Sequence, residues 1–159
     1  MIRAVGTDLV DVTRLEGYMD RVPGLRERLF TPVELAACRK HAASLGARLA
    51  AKEAVLKALG SAYAELGLDA PEGWAYQDIE VTSTPGTPPR LRLTGAAAMA
   101  ARQAGIGHWH LSLAHDGGMA QAFVVAQADH VDNDDDLALS SQRSEARVKP
   151  QVKSLRPAL

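Results

Sequence analysis

Apolar and polar positions alternate in two different rhythms over the first 128 residues. Arg3 to Val10 is strand-like, with Gly6 permitting a bend. Thr13-Arg14-Leu15-Glu16 has the form of a capping box and predicts a helix to about Arg21, broken by Pro23-Gly24. Thr31-Pro32-Val33-Glu34 is a stronger start signal: Thr as N-cap, Pro at the first helical position and Glu two residues later. That helix is expected to reach about His41. Ser44 is placed to cap an Ala-rich helix that ends at Gly60. Residues 61–76, with Pro71 and Gly73, read as a long connection. Gln77 to Ser83 alternates Ile79 and Val81 with Asp78, Glu80 and Thr82, a strand pattern. After the Thr84–Pro89 loop come a short strand, Arg90 to Leu93, and a helix of small residues capped by Thr94 and ending near Gly105. Strands His108–Ala114 and Met119–Ala126, joined by Asp116-Gly117-Gly118, close the core. The order predicts an α+β domain: a helical cluster packed on a mostly antiparallel sheet.

The pattern stops at Ala128-Asp129. Beyond it stand Asp132-Asn133-Asp134-Asp135-Asp136 and a Ser-rich stretch, with no aromatic after Phe123. Such a segment buries too little apolar surface to offset its ordering entropy. The expected organisation is one domain over 1–128 and a charged, disordered or loosely attached tail over 129–159.

Composition narrows the function classes. Apolar residues make up 47% and charged residues 23%, values of an ordinary globular chain. No apolar run reaches the length of a membrane span, and Met1 to Asp8 lacks the pattern of a secretory signal. A lone cysteine, Cys38, excludes an intramolecular disulfide and fits a reducing cytoplasm. Aromatic content of 4% leaves little for stacking nucleic-acid bases. The formal charge of −1 conceals a local excess: residues 1–60 carry ten Lys/Arg against seven Asp/Glu. That excess suits a small anionic ligand or an acidic protein partner better than DNA.

Candidate chemistry concentrates in Arg48 to Leu59. At about 100° per residue, Leu49, Val55, Leu56 and Leu59 share one arc, and Glu53 and Lys57 stand one turn apart beside it. As a surface ion pair they would be worth about a few tenths of a kcal/mol. Lys52 lies near the middle of the apolar arc, where lysine is rarely found without a partner. Either its stem snorkels past the leucines, or Arg48, Lys52 and Lys57 form a cationic wall around one carboxylate. The second arrangement suits a metal ion with phosphates, since hard cations take oxygen ligands and basic groups balance the remaining charge. Asp8 would supply a second carboxylate, or else simply begins the turn after its strand. His108, His110 and Ser112 share one strand face, and His115 at the strand end is better placed for a ligand. A zinc site has little support from the spacing, and no Walker loop, GxGxxG or GxSxG motif occurs.

Three ordered blocks resemble the holo-[acyl-carrier-protein] synthases of the 4′-phosphopantetheinyl transferase superfamily. Gly6-Thr7-Asp8 is similar to the family's N-terminal G-x-D motif. Arg48-Leu49-Ala50-Ala51-Lys52-Glu53-Ala54-Val55-Leu56-Lys57-Ala58-Leu59-Gly60 is similar to its R-F-A-A-K-E-A-x-x-K-A-x-G run. Ser112-Leu113-Ala114-His115, before Ala122-Phe123-Val124-Val125, is similar to its S-x-S-H motif and closing strand. Arg28-Leu29-Phe30-Thr31 and Gln77-Asp78-Ile79-Glu80-Val81 also fit. Leu49 stands for the usual Phe, Ala114 for the second Ser, the 61–76 connection is longer than typical, and the tail has no counterpart.

The resemblance implies transfer of 4′-phosphopantetheine from coenzyme A to a serine of apo acyl carrier protein, for fatty acid biosynthesis, with release of adenosine 3′,5′-bisphosphate. It implies Mg²⁺ held by Asp8 and Glu53, and Lys57 on the transferring phosphate. Lys57, Glu53 and a water on the metal all stay open as the base. Arg48, Lys57, Gly86, Thr87, Pro88, Ser112 and His115 would bind coenzyme A. Arg14, Arg21 and Arg28 would dock the acidic carrier; Arg14 and Arg21, seven apart, fall on one helix side. A cytoplasmic homotrimer with sites between subunits is also implied. Two other readings compete: a Mg²⁺-dependent phosphohydrolase, and a non-enzymatic subunit that binds coenzyme A or a nucleotide.

Overall fold

The computed structural model describes residues 1–39, 41–84 and 86–129. The expected tail, apart from Asp129, falls outside them. The described residues build five strands and five α-helices in the order β1 (Ile2–Asp11), α1 (Val12–Arg21), α2 (Leu25–Leu29), α3 (Pro32–Cys38), α4 (Ala42–Glu65), β2 (Ile79–Thr82), β3 (Arg90–Leu93), α5 (Gly95–Gln103), β4 (Ile106–Asp116) and β5 (Met119–Ala128). A 3-10 turn, Tyr76–Asp78, leads into β2. Strand β5 is central in an antiparallel sheet ordered β1-β5-β4, and β2 and β3 pair antiparallel in a second sheet. The α+β class read from the sequence is the observed one.

Helix α4 organises the core. Its Ala50, Ala51, Ala54, Val55, Ala58 and Leu59 are buried, and so are Arg48 and Lys52. Burial therefore extends round most of the helix and is not confined to the single arc expected from its leucines. Small residues allow this. A Cβ on Gly6 of β1 would collide with the Ala54 carbonyl and lie 3.1 Å from the Ala58 nitrogen. Gly46 makes a similar approach to Ala120 and Val12. Backbones that close bring β1 and α4, and hence Asp8 and the 53–57 turn, side by side.

Several boundaries differ from expectation. Asp11, not Thr13, caps α1: its side chain accepts from the Arg14 amide at 2.9 Å. The Thr31 capping box is present, with Thr31 and Glu34 satisfying each other's amides at 3.2 and 2.9 Å. Helix α3 ends at Cys38, short of His41, and α2 was not anticipated. Ser44 is inside α4, whose N-cap His41 makes no side-chain cap bond. Gly60 does not end α4, which continues to Glu65 because Ala62 and Tyr63 are buried and the Tyr63 hydroxyl lies 3.0 Å from Gln103 Oε1. That shortens the connection expected over 61–76. The strand expected from Gln77 begins only at Ile79. Strands β4 and β5 are each longer than expected and meet in a two-residue turn whose Gly117 and Gly118 have φ of 54° and 81°, the mirror-image turn that matches strand twist.

Candidate functional site

Asp8 reaches the site because strand alternation turns it toward α4. It pairs across the sheet with Ala122 and through it with Leu113. Lys57, about four turns into α4, extends its ammonium to Asp8 Oδ1 at 2.7 Å and to the Thr7 carbonyl at 3.2 Å. The lysine side chain is 57% exposed and the aspartate 17%, so the pair is open to a ligand on the lysine side. One turn earlier, Glu53 accepts a hydrogen bond from the Tyr76 hydroxyl on Oε1. Asp8 and Glu53 line one cleft of about 270 Å³ with Leu9, Val10, Asp11, Arg14, Leu15, Tyr18 and Leu49. Three carboxylates, Asp8, Asp11 and Glu53, and the Arg14 side chain thus line a cleft where β1, α1 and α4 meet, with the Lys57 ammonium bonded to Asp8.

Tyr76 was not anticipated. Its phenol donates to Glu53 and feels the charge of both Glu53 and Asp8. Burial first, then the Glu53 hydrogen bond and the charges of Glu53 and Asp8, push it above the ordinary value of 10. The hydroxyl keeps its proton and donates. Trp74 packs edge-on against its ring, with centroids 5.4 Å apart. The available signal was Trp74-x-Tyr76 in a chain only 4% aromatic, ahead of a strand.

Lys52 neither snorkels nor joins a wall round Glu53. Fully buried, its ammonium pairs with the equally buried Glu34 at 2.8 Å and donates to the Tyr76 carbonyl at 2.8 Å. The Phe30 ring lies 5.7 Å from it. Burial pulls the ammonium below its ordinary 10.5, with Glu34 opposing the shift. The other Glu34 oxygen accepts from the Val81 amide at 2.9 Å, which stitches α3 to β2. Thr31 continues the network to Glu80 at 2.7 Å, and Glu80 accepts from Arg92 at 2.8 and 3.0 Å.

Arg48 is 7% exposed and turned away from Asp8 and Glu53. It donates to the Ser44 carbonyl at 3.2 Å and to Ser83 Oγ at 2.8 Å, while its buried Nε has no protein partner among the described residues. Ser83 begins the loop carrying Gly86, Thr87 and Pro88, all exposed, with Gly86 at φ 79°. Ser112 is on the opposite sheet face from Asp8, level with Phe123 and Thr7. His115 is exposed at the end of β4, in a second cleft of about 370 Å³ with Ala43, Asp116, the glycine turn and Val12. Asp11 lines the first cleft and Val12 the second, so the two adjoin at the β1–α1 junction. Arg14, Arg21 and Arg28 are exposed, and the Arg21 guanidinium stands over the Tyr18 ring at 5.2 Å. One chain therefore unites Asp8, Glu53, Lys57 and Arg14, and leaves Ser112 and the 86–88 loop apart from them.

Among the described residues, no group of three or more His, Cys, Asp and Glu is arranged to hold a metal by itself. Mg²⁺ commonly takes one or two carboxylates and completes its shell with substrate phosphates and water. Asp8 and Glu53 in one cleft fit that donor set. His110 bonds Gln127 at 2.8 Å, and His108 lies 3.6 Å from Asp129. No helix among the described residues is long and apolar enough to cross a membrane.

The chain is 47% identical over 124 residues to the holo-[acyl-carrier-protein] synthase of Frankia alni, covering 78% of this chain and 96% of the relative. The acyl carrier protein synthase structure from Mycobacterium tuberculosis matches at 36% identity and TM-score 0.63, over 81% of this chain and all (100%) of that one. The Helicobacter pylori holo-[acyl-carrier-protein] synthase in complex with coenzyme A matches at 27% identity and TM-score 0.62, over 77% and 99%. The family model of the 4′-phosphopantetheinyl transferase superfamily matches residues 4–128. Residues 4–128, which hold Asp8, Glu53 and Lys57, make this chain a member of the 4′-phosphopantetheinyl transferase superfamily.

Proposed function

We propose that this chain is a holo-[acyl-carrier-protein] synthase: it moves 4′-phosphopantetheine from coenzyme A to a serine of apo acyl carrier protein and releases adenosine 3′,5′-bisphosphate. The observation that carries this reading is the meeting of Asp8 and Glu53 in one cleft of a superfamily member, with the Lys57 ammonium bonded to Asp8. Phosphoryl transfer needs little covalent help from a protein; it needs positioning and charge neutralisation. Asp8 and Glu53 would hold Mg²⁺, which, when bound, offsets charge on the coenzyme A diphosphate. The Lys57 ammonium, exposed and already oriented by Asp8, is placed to follow the phosphate whose bond to the leaving nucleotide breaks. The carrier serine oxygen forms the new bond to that phosphorus and gives up its proton to a group in the cleft. Arg14 lines the cleft, so an acidic carrier drawn by Arg14, Arg21 and Arg28 would present its serine beside Glu53.

The remaining coenzyme A contacts, from Arg48, Gly86, Thr87, Pro88, Ser112 and His115, fit a site completed by another copy. Val5, Leu9 and Phe123 are exposed on the same open sheet face as Ser112. A homotrimer would cover these apolar side chains and bring Ser112 to a neighbour's cleft. Fatty acid synthesis in the cytoplasm is the setting this activity would serve. The test follows nucleotide release from coenzyme A with Mg²⁺, with and without apo carrier. Release only with carrier supports the transferase. Release without carrier would mean a phosphohydrolase, and coenzyme A binding with no release would mean a binding subunit.

A further inference from the structure

Two neighbours on α4, Lys52 and Glu53, are tied to the same residue by opposite ends. The Lys52 ammonium holds the Tyr76 backbone carbonyl at 2.8 Å, and the Tyr76 hydroxyl holds Glu53 Oε1. Lys52 is itself fixed by the fully buried Glu34, which is pinned to the Thr31 and Val81 amides at 2.9 Å each. The Tyr76 ring is braced by Trp74. A continuous line of polar contacts therefore runs from the core, Glu34–Lys52–Tyr76, to the carboxylate that faces the cleft. A glutamate side chain on a helix surface is otherwise free to sample several rotamers, and each sampled rotamer lowers its fitness as a ligand.

We propose that Tyr76 is a positioning residue for Glu53: anchored through Lys52 and Glu34, its hydroxyl occupies one carboxylate oxygen and presents the other to the cation of the cleft. The inference rests on the proposed role of Glu53. Partners that orient a ligating carboxylate from behind typically change metal affinity or activity by roughly 10- to 100-fold when removed. Tyr76→Phe removes only the hydroxyl and keeps the ring against Trp74. A second variant, Glu34→Leu with Lys52→Met, replaces the buried pair by apolar side chains, an exchange that is often tolerated, and frees the Tyr76 carbonyl.

The experiment titrates Mg²⁺ calorimetrically into the full-length protein preloaded with coenzyme A, and measures kcat, KM for apo carrier and Tm. For Tyr76→Phe the expected result is a roughly 10- to 100-fold weaker Mg²⁺ Kd and lower kcat. KM for the carrier and Tm stay near those of the natural chain. The Glu34→Leu/Lys52→Met double variant weakens Mg²⁺ binding in the same direction. An unchanged Mg²⁺ Kd in Tyr76→Phe, with or without a lower Tm, would reduce Tyr76 to a structural tie and overturn the inference. Glu53→Gln, run in parallel, separates the two readings. If it loses Mg²⁺ binding while Tyr76→Phe does not, the site stands and the positioning fails. If Glu53→Gln binds Mg²⁺ normally, the site assignment falls and takes the inference with it.

Discussion

The two sides of α4 use charge in opposite ways. On the inward side Lys52 and Glu34 are wholly buried, and the ammonium is held by Glu34 and the Tyr76 carbonyl. On the cleft side Lys57 and Asp8 make a bond of similar length, 2.7 Å, but the lysine is more than half exposed. The inner pair is locked because its desolvation is tolerable only with both partners and their amide donors in place. The outer pair costs little to open, so its cation can exchange a carboxylate for a phosphate. Adjacent residues, Lys52 and Glu53, thus belong to different regimes, and only the 100° step between them decides which.

The comparison breaks most readily at Lys52. Lys52→Met alone leaves Glu34 buried and uncompensated and should cost about 3–5 kcal/mol of stability in urea unfolding. A loss under about 1 kcal/mol, the range of exposed pairs, would erase the distinction between the two sides. At Lys57 the opposite profile is expected. Lys57→Ala should lower kcat by about 10²–10³, the scale of one lost charge-stabilising donor, and leave the unfolding midpoint nearly unchanged. A smaller effect sharpens the role of the cleft rim: Arg14→Glu should raise KM for the acyl carrier several-fold and steepen no dependence on coenzyme A. Equal losses for both substrates would remove Arg14 from the docking face.

The smallest effect concerns acid. Burial alone would raise the Glu80 carboxyl, but hydrogen bonds from Thr31 and Arg92 and the charges of Arg92 and Lys52 hold it below its ordinary 4.5. The unfolded chain therefore binds that proton more tightly than the fold does. Stability from Glu80 is present above pH 4.5 and is lost as pH falls through the lower folded value. Glu80→Gln should flatten the fall in unfolding free energy as the pH drops below 4.5. An unchanged slope would assign the acid sensitivity elsewhere.

What could be read from the sequence was local in the chain. The Thr31 capping box, the glycine hairpin turn and the β-pattern of Met119–Ala126 need only neighbours to be recognised. Asp8, Glu53 and Lys57 were singled out by residue type, motif and helical spacing. What was hidden depends on contacts between distant segments. Spacing flagged Lys52 as needing a partner but could not point to Glu34 on another helix. Tyr76 was hidden inside an apparent connection. Gly60 looked like a stop, yet burial of Ala62 and Tyr63 outweighs the modest local cost of a helical glycine. Asp11 outcompeted Thr13 as cap because β1 continues to Asp11 and leaves its carboxylate at the helix mouth.

The most direct test of the account weighs apo acyl carrier protein by mass spectrometry after incubation with this protein, coenzyme A and Mg²⁺. The account predicts a gain of one phosphopantetheine, absent with chelator and absent with Glu53→Gln. A carrier of unchanged mass across several acidic carriers, despite bound coenzyme A, would contradict it.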